Sequence, residues 1–262
     1  MHPARVAIGS LEVDRLSFDD AVARIIELAE TKRGGYIVTP NVDHVVLAEH
    51  DARFRAAYQH AALSVCDGFP LLLTSRLLGA TLPEKISGSD LAMPVLQQAA
   101  ARNLRVFFLG AAPGVAEKAR AKVAEMLPAL QVVGTSSPMV NMDHPPSARD
   151  EIVAELNAAQ PHIVFVAFGA PKQELLCYEI AERVKPAVLL GIGATLDFLA
   201  GTVKRAPSWM SRVGLEWVYR LAHEPKRMAH RYLVRDTQYP YIVAKRALIR
   251  RVRGGSNEGG RP

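Results

Sequence analysis

The residues of this chain best suited to binding a substrate follow a run of mostly apolar residues that ends at Phe168. Such a run, rich in Val, Ile and Phe, is typical of a strand buried on both faces of a parallel sheet. Gly169 ends the strand, and the turn after it places Lys172, Gln173 and Glu174 in the first turn of a helix. Free N–H groups at such a helix N-terminus favour an anionic ligand. Three consecutive long polar side chains here indicate a functional site rather than a plain connection.

One other predicted strand and one short apolar run also end at polar side chains. Thr39 and Asn41 flank a proline, and Asn41 is either a pocket residue or the cap of the next helix. Asp67 and Gly68 follow a short apolar run that ends at Cys66. Asp67 either caps the next helix or acts as a general base beside a substrate, and we favour the base. We expect Cys66 to be a small buried hydrophobe, because no neighbour in the sequence would activate its thiol.

Glycine-rich turns follow two more predicted strands. Gly110 opens a strand-to-helix turn where the backbone can approach a phosphate, although the turn matches neither the dinucleotide-binding nor the P-loop motif. Asp197 follows the turn at 191–193 and is either a paired structural carboxylate or a site residue. Zinc-ligand spacings, an Asp-x-Asp pair for Mg²⁺ and a serine nucleophile elbow are all missing. We therefore expect no metal and disfavour hydrolysis, and basic side chains and N–H groups would neutralise any phosphate.

Strands and helices alternate along the first 200 residues. The predicted strands are Tyr36–Thr39, Arg105–Leu109, Leu130–Val133, His162–Phe168 and Ala187–Leu190. The predicted helices are Phe18–Thr31, Val42–Gln59, Ser89–Ala101, Val115–Met126, Ala148–Ala159 and Lys172–Val184. This order predicts an α/β fold, with a Rossmann-like, mainly parallel sheet and helices on both faces. Three prolines predict a loop over Ser136–Ser147.

The composition fits a soluble globular protein. Of the 262 residues 49% are apolar and 22% are charged, which allows a sizeable core. Two cysteines argue against a disulfide framework and fit a reducing cytosol. The N-terminus has no signal-peptide pattern, and the longest nearly apolar stretch, Ala187–Gly201, is too short to span a bilayer. We expect a cytoplasmic protein that does not cross the membrane.

Charge divides the chain into a body, residues 1–203, and a basic appendage, residues 204–253, followed by a Gly-rich tail at 254–262 that we expect to be disordered. From residue 204 onward 14 Lys and Arg stand against 4 Asp and Glu, a net charge of +10, whereas the body carries −4. Apolar and aromatic residues are interleaved with these charges, as in an amphipathic segment that lies on an anionic membrane surface. A solvated helical face and nucleic-acid binding are the alternatives, and we favour the membrane.

The chain resembles the WecG/TagA/CpsF family, glycosyltransferase family 26, between Thr39 and Tyr232. The resemblance rests on the order and spacing of short pieces rather than on any one of them. The pieces are Thr39-Pro40-Asn41, Asp67-Gly68, Gly88-Ser89-Asp90-Leu91, Phe107–Gly110, Gly169–Glu174, Gly191-Ile192-Gly193, Asp197–Gly201, Arg205-Ala206-Pro207, Glu216–Leu221, Glu224-Pro225 and Arg231-Tyr232.

The resemblance implies an inverting glycosyltransferase of bacterial cell-surface polysaccharide synthesis. Such an enzyme moves a sugar from a UDP-sugar onto a polyprenyl-diphosphate-linked sugar at the cytoplasmic face of the membrane, without a metal. By the same resemblance Asp67 is the general base, and Thr39, Asn41 and Gln173 line the pocket.

Basic residues of the appendage are implied to bind the diphosphate and the membrane, here Arg220, Arg227 and Arg231. Two features depart from the family pattern. Lys85 stands where the family usually has Arg, and a lysine lacks the planar fork of a guanidinium. Ser137–Val140 replaces the family's Gly-Tyr pair. The donor sugar is therefore left open between N-acetylmannosamine, its uronic acid and glucose.

Two other function classes remain open from the sequence. A soluble nucleotide-binding enzyme acting on a free small substrate would use the same glycine turns and would not need the appendage. A non-enzymatic basic adaptor would bind a membrane or nucleic acid through the appendage and would not bind UDP. No cofactor is expected for the transferase, and homo-oligomerisation is left open.

Overall fold

The computed structural model describes residues 4–207, 210, 216–223, 225 and 231–255. The strands in these ranges are β1 Arg5–Ile8, β2 Leu11–Asp14, β3 Gly35–Val38, β4 Leu63–Ser64, β5 Arg105–Gly110, β6 Gln131–Ser136, β7 Ile163–Ala167 and β8 Val188–Gly191. The α-helices are α1 Phe18–Glu30, α2 Val42–His50, α3 Ala52–Gln59, α4 Phe69–Leu77, α5 Gly88–Ala101, α6 Val115–Met126, α7 Asp150–Ala159, α8 Lys172–Ile180, α9 Thr195–Ala200, α10 Glu216–His223 and α11 Tyr239–Gly255. Shorter turns are the 3₁₀ segments Pro146–Arg149, Ala181–Arg183 and Asp236–Gln238 and the π-helical turn Arg231–Arg235.

Six of the strands form one parallel sheet in the order β4-β3-β8-β7-β5-β6. This arrangement confirms the predicted α/β fold, because parallel strands need helical crossovers that cover the sheet faces. The carboxyl ends of β3, β4, β7 and β8 consequently lie along one edge. The antiparallel hairpin of β1 and β2 stands outside this sheet, and the sequence pattern does not predict it.

The sheet is buried on both faces, and its side chains alternate between two hydrophobic clusters. In β7, Val164 and Val166 belong to one cluster, and Ile163 and Phe165 belong to the other. All four side chains are fully buried. Each such burial contributes about 1.5–3 kcal/mol before the loss of conformational entropy. The strand therefore holds the turn at its carboxyl end on a rigid support.

One predicted helix is two helices in the structure. The prediction of a single helix over Val42–Gln59 is wrong, because the chain becomes extended at Asp51, with φ −120° and ψ 111°. The Asp51 carboxylate accepts hydrogen bonds from the N–H groups of Arg53 and Phe54 and so caps α3. The apolar spacing continues across this break, which hides it in the sequence.

The C-terminal segment, residues 231–255, packs against α2 and α4. Tyr239 and Ile242 belong to the same hydrophobic cluster as Val45 of α2, and the Tyr239 hydroxyl donates to the Thr74 hydroxyl of α4 at 2.8 Å. Ile242 therefore faces the body, whereas Leu248 is 64% exposed. The remainder of the predicted tail, 256–262, lies outside the described residues. Within the described ranges, no helix combines the length and the apolar content that crossing a membrane requires.

Candidate active site

A cavity of 440 Å³ opens at the carboxyl edge of the sheet. This is the edge where open α/β sheets bind their ligands. The sequence-predicted site residues that line it are Thr39, Asn41, Asp67, Gly169, Gln173, Glu174 and Arg231. A second cavity of 310 Å³ shares Asn41, Asp67 and Arg231 with the first and is also lined by Lys85. The structure thus brings together residues that lie up to 192 positions apart, counted from Thr39 to Arg231.

Of the predicted site residues whose side chains the structure describes, three lie outside both cavities. Gly110 has a φ of +106°, and a side chain at this position would meet the Ala167 carbonyl oxygen at 2.7 Å. The structure therefore needs a glycine at residue 110 because β5 and β7 lie close together there. Lys172 is exposed to solvent. The Asp197 carboxylate accepts a hydrogen bond from the Thr202 hydroxyl at 3.3 Å.

Gln173 and Glu174 form a buried polar pair on the wall of the larger cavity. The Gln173 Oε1 accepts from the Gly193 N–H at 2.9 Å, and its Nε2 donates to Glu174 Oε1 at 3.1 Å. Both ends of the Gln173 amide are thereby engaged, which fixes its orientation. Gly191 lies against this amide, since a Cβ at residue 191 would come within 2.6 Å of Gln173 Nε2.

Glu174 carries a perturbed carboxyl group. Burial raises the pKa of Glu174 to about 7, and the nearby charge of Asp43 adds to the effect, while hydrogen bonding by Gln173 and the charge of Arg231 oppose it. Its Oε2 has no hydrogen-bond partner in the part of the chain that the structure describes. Near neutral pH this carboxyl exists in both protonation states, so it can donate or accept a hydrogen bond at the cavity wall.

We expect Glu174→Gln to stabilise the protein more at pH 8 than at pH 5. The unfolded chain ionises this carboxyl above its ordinary pKa of 4.5, whereas the folded protein keeps it protonated up to about pH 7. The wild-type free energy of unfolding therefore falls relative to that of the variant as the pH rises through this window, by on the order of 3 kcal/mol. Urea unfolding of both proteins at pH 5, 6 and 8 measures the difference between their free energies of unfolding. If this difference does not change with pH, the raised pKa of Glu174 is contradicted.

Asp67 lies where the two cavities meet. Its N–H donates to the Pro40 carbonyl at 2.9 Å, which holds the turn after β4 beside the turn after β3. The N-cap of α4 is Gly68, without any side-chain capping bond, so Asp67 does not serve as that cap. The neighbouring Cys66 is buried, as predicted, and this burial raises the pKa of its thiol to about 12.

Asn41 combines the two roles that the sequence left open. Its side-chain oxygen accepts from the N–H of His44 at 3.3 Å and so caps α2. The same oxygen accepts from Nη2 of Arg231 at 3.1 Å. The cap therefore also fixes one arginine of the C-terminal segment at the cavity.

Lys85, at the position where the chain departs from the family pattern, belongs to an ion-pair network. Its Nζ lies 2.9 Å from Asp90 Oδ2, and Arg205 pairs with the other oxygen of Asp90. Although burial acts to raise it, the pKa of Asp90 is held at about 2 by the hydrogen bonds of Ser87 and Arg205 and the charge of Lys85. Lys85 thus lines the second cavity while it forms an ion pair with Asp90 in the first turn of α5.

The cavity wall also contains charged residues that the sequence patterns did not single out. Asp43, in the first turn of α2, is buried, and its two oxygens lie 3.3 Å from Arg231 Nε and 2.5 Å from Arg235 Nε. Burial and the charges of these two arginines lower the pKa of His44 to about 3, so this histidine is neutral. The only signal in the sequence is that Arg235 follows Arg231 by four residues, about one helical turn.

The remaining two arginine predictions stay predictions. Arg220 belongs to α10 by its backbone, and its side chain is not among those that the structure describes. Arg227 lies outside the described residues.

Comparison with known proteins adds an independent finding. The model of the "Glycosyl transferase WecG/TagA/CpsF family" matches residues 6–253. An N-acetylglucosaminyldiphosphoundecaprenol N-acetyl-β-D-mannosaminyltransferase of Bacillus spizizenii is 32% identical over 221 residues, which are 82% of this chain and 84% of the relative. The protein of the same description from Bacillus subtilis is 31% identical over 198 residues, 76% of this chain and 75% of the relative.

Proposed function

The chain belongs to the WecG/TagA/CpsF family of glycosyl transferases, and we propose that it transfers a sugar from a UDP-sugar to a sugar linked to a polyprenyl diphosphate. The observation that carries the proposal is the cavity at the sheet edge where Asp67, Gln173 and Arg231 meet. The two Bacillus relatives are described as transferring N-acetylmannosamine to N-acetylglucosaminyldiphosphoundecaprenol. N-acetylmannosamine is therefore the first donor sugar to test, ahead of its uronic acid and glucose.

In this proposal Asp67 is the general base. The acceptor hydroxyl loses its proton as its oxygen attacks the anomeric carbon, on the side opposite to the departing UDP, and the configuration inverts. A carboxylate within hydrogen-bond reach takes that proton, which is typically worth about 10²–10⁴-fold in rate. Support comes from the position of Asp67 between two cavities, since a base must face both the donor and the acceptor.

The diphosphate of the leaving UDP gains negative charge as the glycosidic bond breaks. Arg231, which lines both cavities, is a donor that can stabilise this charge. In this proposal Gln173, whose amide oxygen accepts from the Gly193 N–H, binds the sugar or the diphosphate. We propose that these groups neutralise the diphosphate without a metal ion, and that turnover is unchanged by EDTA.

The second cavity suits the lipid-linked acceptor. Its walls include the apolar and aromatic side chains of Val42, Phe69, Trp217 and Tyr232, against which the first isoprene units can pack. We further propose that the basic appendage holds the protein on the anionic inner face of the membrane. Exposed Leu248 and Tyr241 on α11 and the net charge of +10 from residue 204 onward support this role.

A UDP-release assay tests the function. It crosses UDP-N-acetylmannosamine, its uronic acid and UDP-glucose with a lipid-diphosphate-linked N-acetylglucosamine, in the presence and absence of EDTA. We expect release that needs one donor and the lipid acceptor and that continues in EDTA. Loss of release in EDTA, restored by Mg²⁺, would contradict the metal-free mechanism. A folded protein that binds no UDP in calorimetry would contradict the donor class itself.

A further inference from the structure

Two arginines of the C-terminal segment converge on one buried carboxylate at the cavity wall. Asp43 of α2 is 2% exposed, and Arg231 and Arg235 approach its two oxygens from the π-helical turn. Asp236 extends the cluster, with an oxygen 3.9 Å from Arg231 Nε. The cluster therefore ties the C-terminal segment to the start of α2 at the edge of the sheet.

The ion pairs with Asp43 engage the Nε of each arginine. These Nε atoms are buried against the carboxylate, so they do not reach a ligand in the cavity. The terminal Nη groups of a guanidinium are its remaining donors. Such donors beside a cavity suit an anionic ligand that accepts several hydrogen bonds at once.

Arg235 differs from Arg231 in what its terminal nitrogens contact. Arg231 donates through Nη2 to Asn41. Within the described part of the chain Arg235 has Asp43 as its ion-pair partner, through Nε. Arg235 lines the larger cavity, and its side chain is one third exposed. The Nη groups of Arg235 donate to no described residue, whereas Nη2 of Arg231 is engaged by Asn41.

We propose that Arg235 binds a diphosphate group of a substrate in this cavity and that Asp43 is the positioning residue that aims Arg235 and Arg231 at it. The inference rests on the proposed function for the identity of the diphosphate. This group belongs either to the UDP-sugar or to the polyprenyl-linked acceptor, since both carry the same chemistry. Removing the guanidinium that donates charge-assisted hydrogen bonds to such a diphosphate weakens its binding by about 10- to 100-fold.

The chain offers a matched control at the C-terminal end of α2, the helix whose first turn contains Asp43. Arg246 of α11 pairs with Glu49 of α2 at 2.9 Å, and neither residue lines the two cavities of the site. This ion pair also ties the C-terminal segment to α2. Arg246→Gln and Glu49→Gln therefore remove a tether of the same kind without touching the proposed diphosphate contact.

The experiment compares Arg235→Gln with Arg246→Gln and Asp43→Asn with Glu49→Gln in the full chain. Calorimetry with inorganic pyrophosphate and with UDP measures binding without turnover, steady-state kinetics give KM for each substrate, and thermal unfolding measures stability. We expect Arg235→Gln to weaken pyrophosphate binding at least 10-fold, whereas Arg246→Gln stays within twofold of wild type. Asp43→Asn should weaken the same binding, and Asp43→Glu should restore part of it because the charge is kept.

The two sources of the diphosphate separate in the kinetics. Weaker UDP binding with an unchanged acceptor KM assigns Arg235 to the donor, and the reverse result assigns it to the acceptor. Wild-type values of pyrophosphate binding, UDP binding and acceptor KM in Arg235→Gln would overturn the proposal, as would equal losses in Arg246→Gln. Wild-type protein that binds pyrophosphate through Arg235 but releases no UDP would leave this inference standing and count against the transferase.

Discussion

Replacing Asp67 by asparagine is expected to lower kcat by about 10²- to 10⁴-fold while the affinity for UDP stays at its wild-type value. Asparagine has nearly the shape of aspartate but cannot take a proton from the acceptor hydroxyl at neutral pH. The anchoring bond from residue 67 to the Pro40 carbonyl runs through the backbone N–H, so the substitution leaves it in place. The measurements are UDP release with donor and lipid acceptor, and calorimetry with UDP.

Asp197→Asn is the matched control for that variant. Asp197 also follows a strand of the sheet, but its carboxylate accepts from Thr202 and lies outside both cavities. We expect this control to keep wild-type turnover. Wild-type turnover in Asp67→Asn would remove Asp67 as the base and make Glu174 the next candidate, a carboxyl at the cavity wall whose Oε2 has no hydrogen-bond partner among the described residues.

The second large effect is expected from Gly191→Ala. A methyl group at this position would lie 2.6 Å from Gln173 Nε2 and 3.2 Å from its Cδ, so the amide must move. Gln173 is buried, and moving its amide breaks the bond from the Gly193 N–H. A displacement of about 1 Å in a positioning group can cost about 10²-fold in rate, and we expect kcat/KM to fall by that order.

A double substitution tests whether Gly191→Ala acts through Gln173. If it does, adding Gln173→Ala to Gly191→Ala will lower kcat/KM little further, because the amide is already misplaced. If the losses in kcat/KM of the two single variants multiply in the double variant, the methyl group of Gly191→Ala does not act through Gln173. Gly88→Ala provides a contrast, since its Cβ would meet the Gly191 carbonyl and Ile192 Cα, both at 2.9 Å. These are backbone atoms, so that variant should lose stability.

The elements nearest the site were the most predictable from the sequence. β7 is a continuous apolar run and α8 begins at Lys172 as predicted, because a doubly buried strand and a proline-initiated helix leave strong local signals. Gln173 and Glu174 could therefore be placed at the sheet edge. Asp67 was placed with them for the same reason, since it too follows a strand and its neighbour Gly68 has φ +129°.

Other residues could not be assigned from local pattern. A glycine next to a strand allows the close approach either of a ligand or of another strand. The sequence around Gly110 is compatible with both, and in the structure the close contact is with the backbone of β7. The Asp43–Arg235 pair joins elements at opposite ends of the chain, and a single sequence does not record such a distant contact. Asp51, which divides α2 from α3, is an ordinary surface residue by its spacing alone. Each case depends on a tertiary neighbour.

The attachment of the C-terminal segment to α2 and to its N-cap also has a consequence for biosynthesis. Arg231 meets a residue 190 positions earlier, and Arg246 meets one 197 positions earlier. At about 5–20 residues per second, a ribosome needs roughly 10–40 s to travel that distance. Throughout this interval the nascent chain already carries Asp43, Glu49 and the apolar surface of α2 without their C-terminal partners. The wall of the larger cavity is therefore complete only after Arg235 has been translated, and a chaperone that shields α2 would act in that same interval.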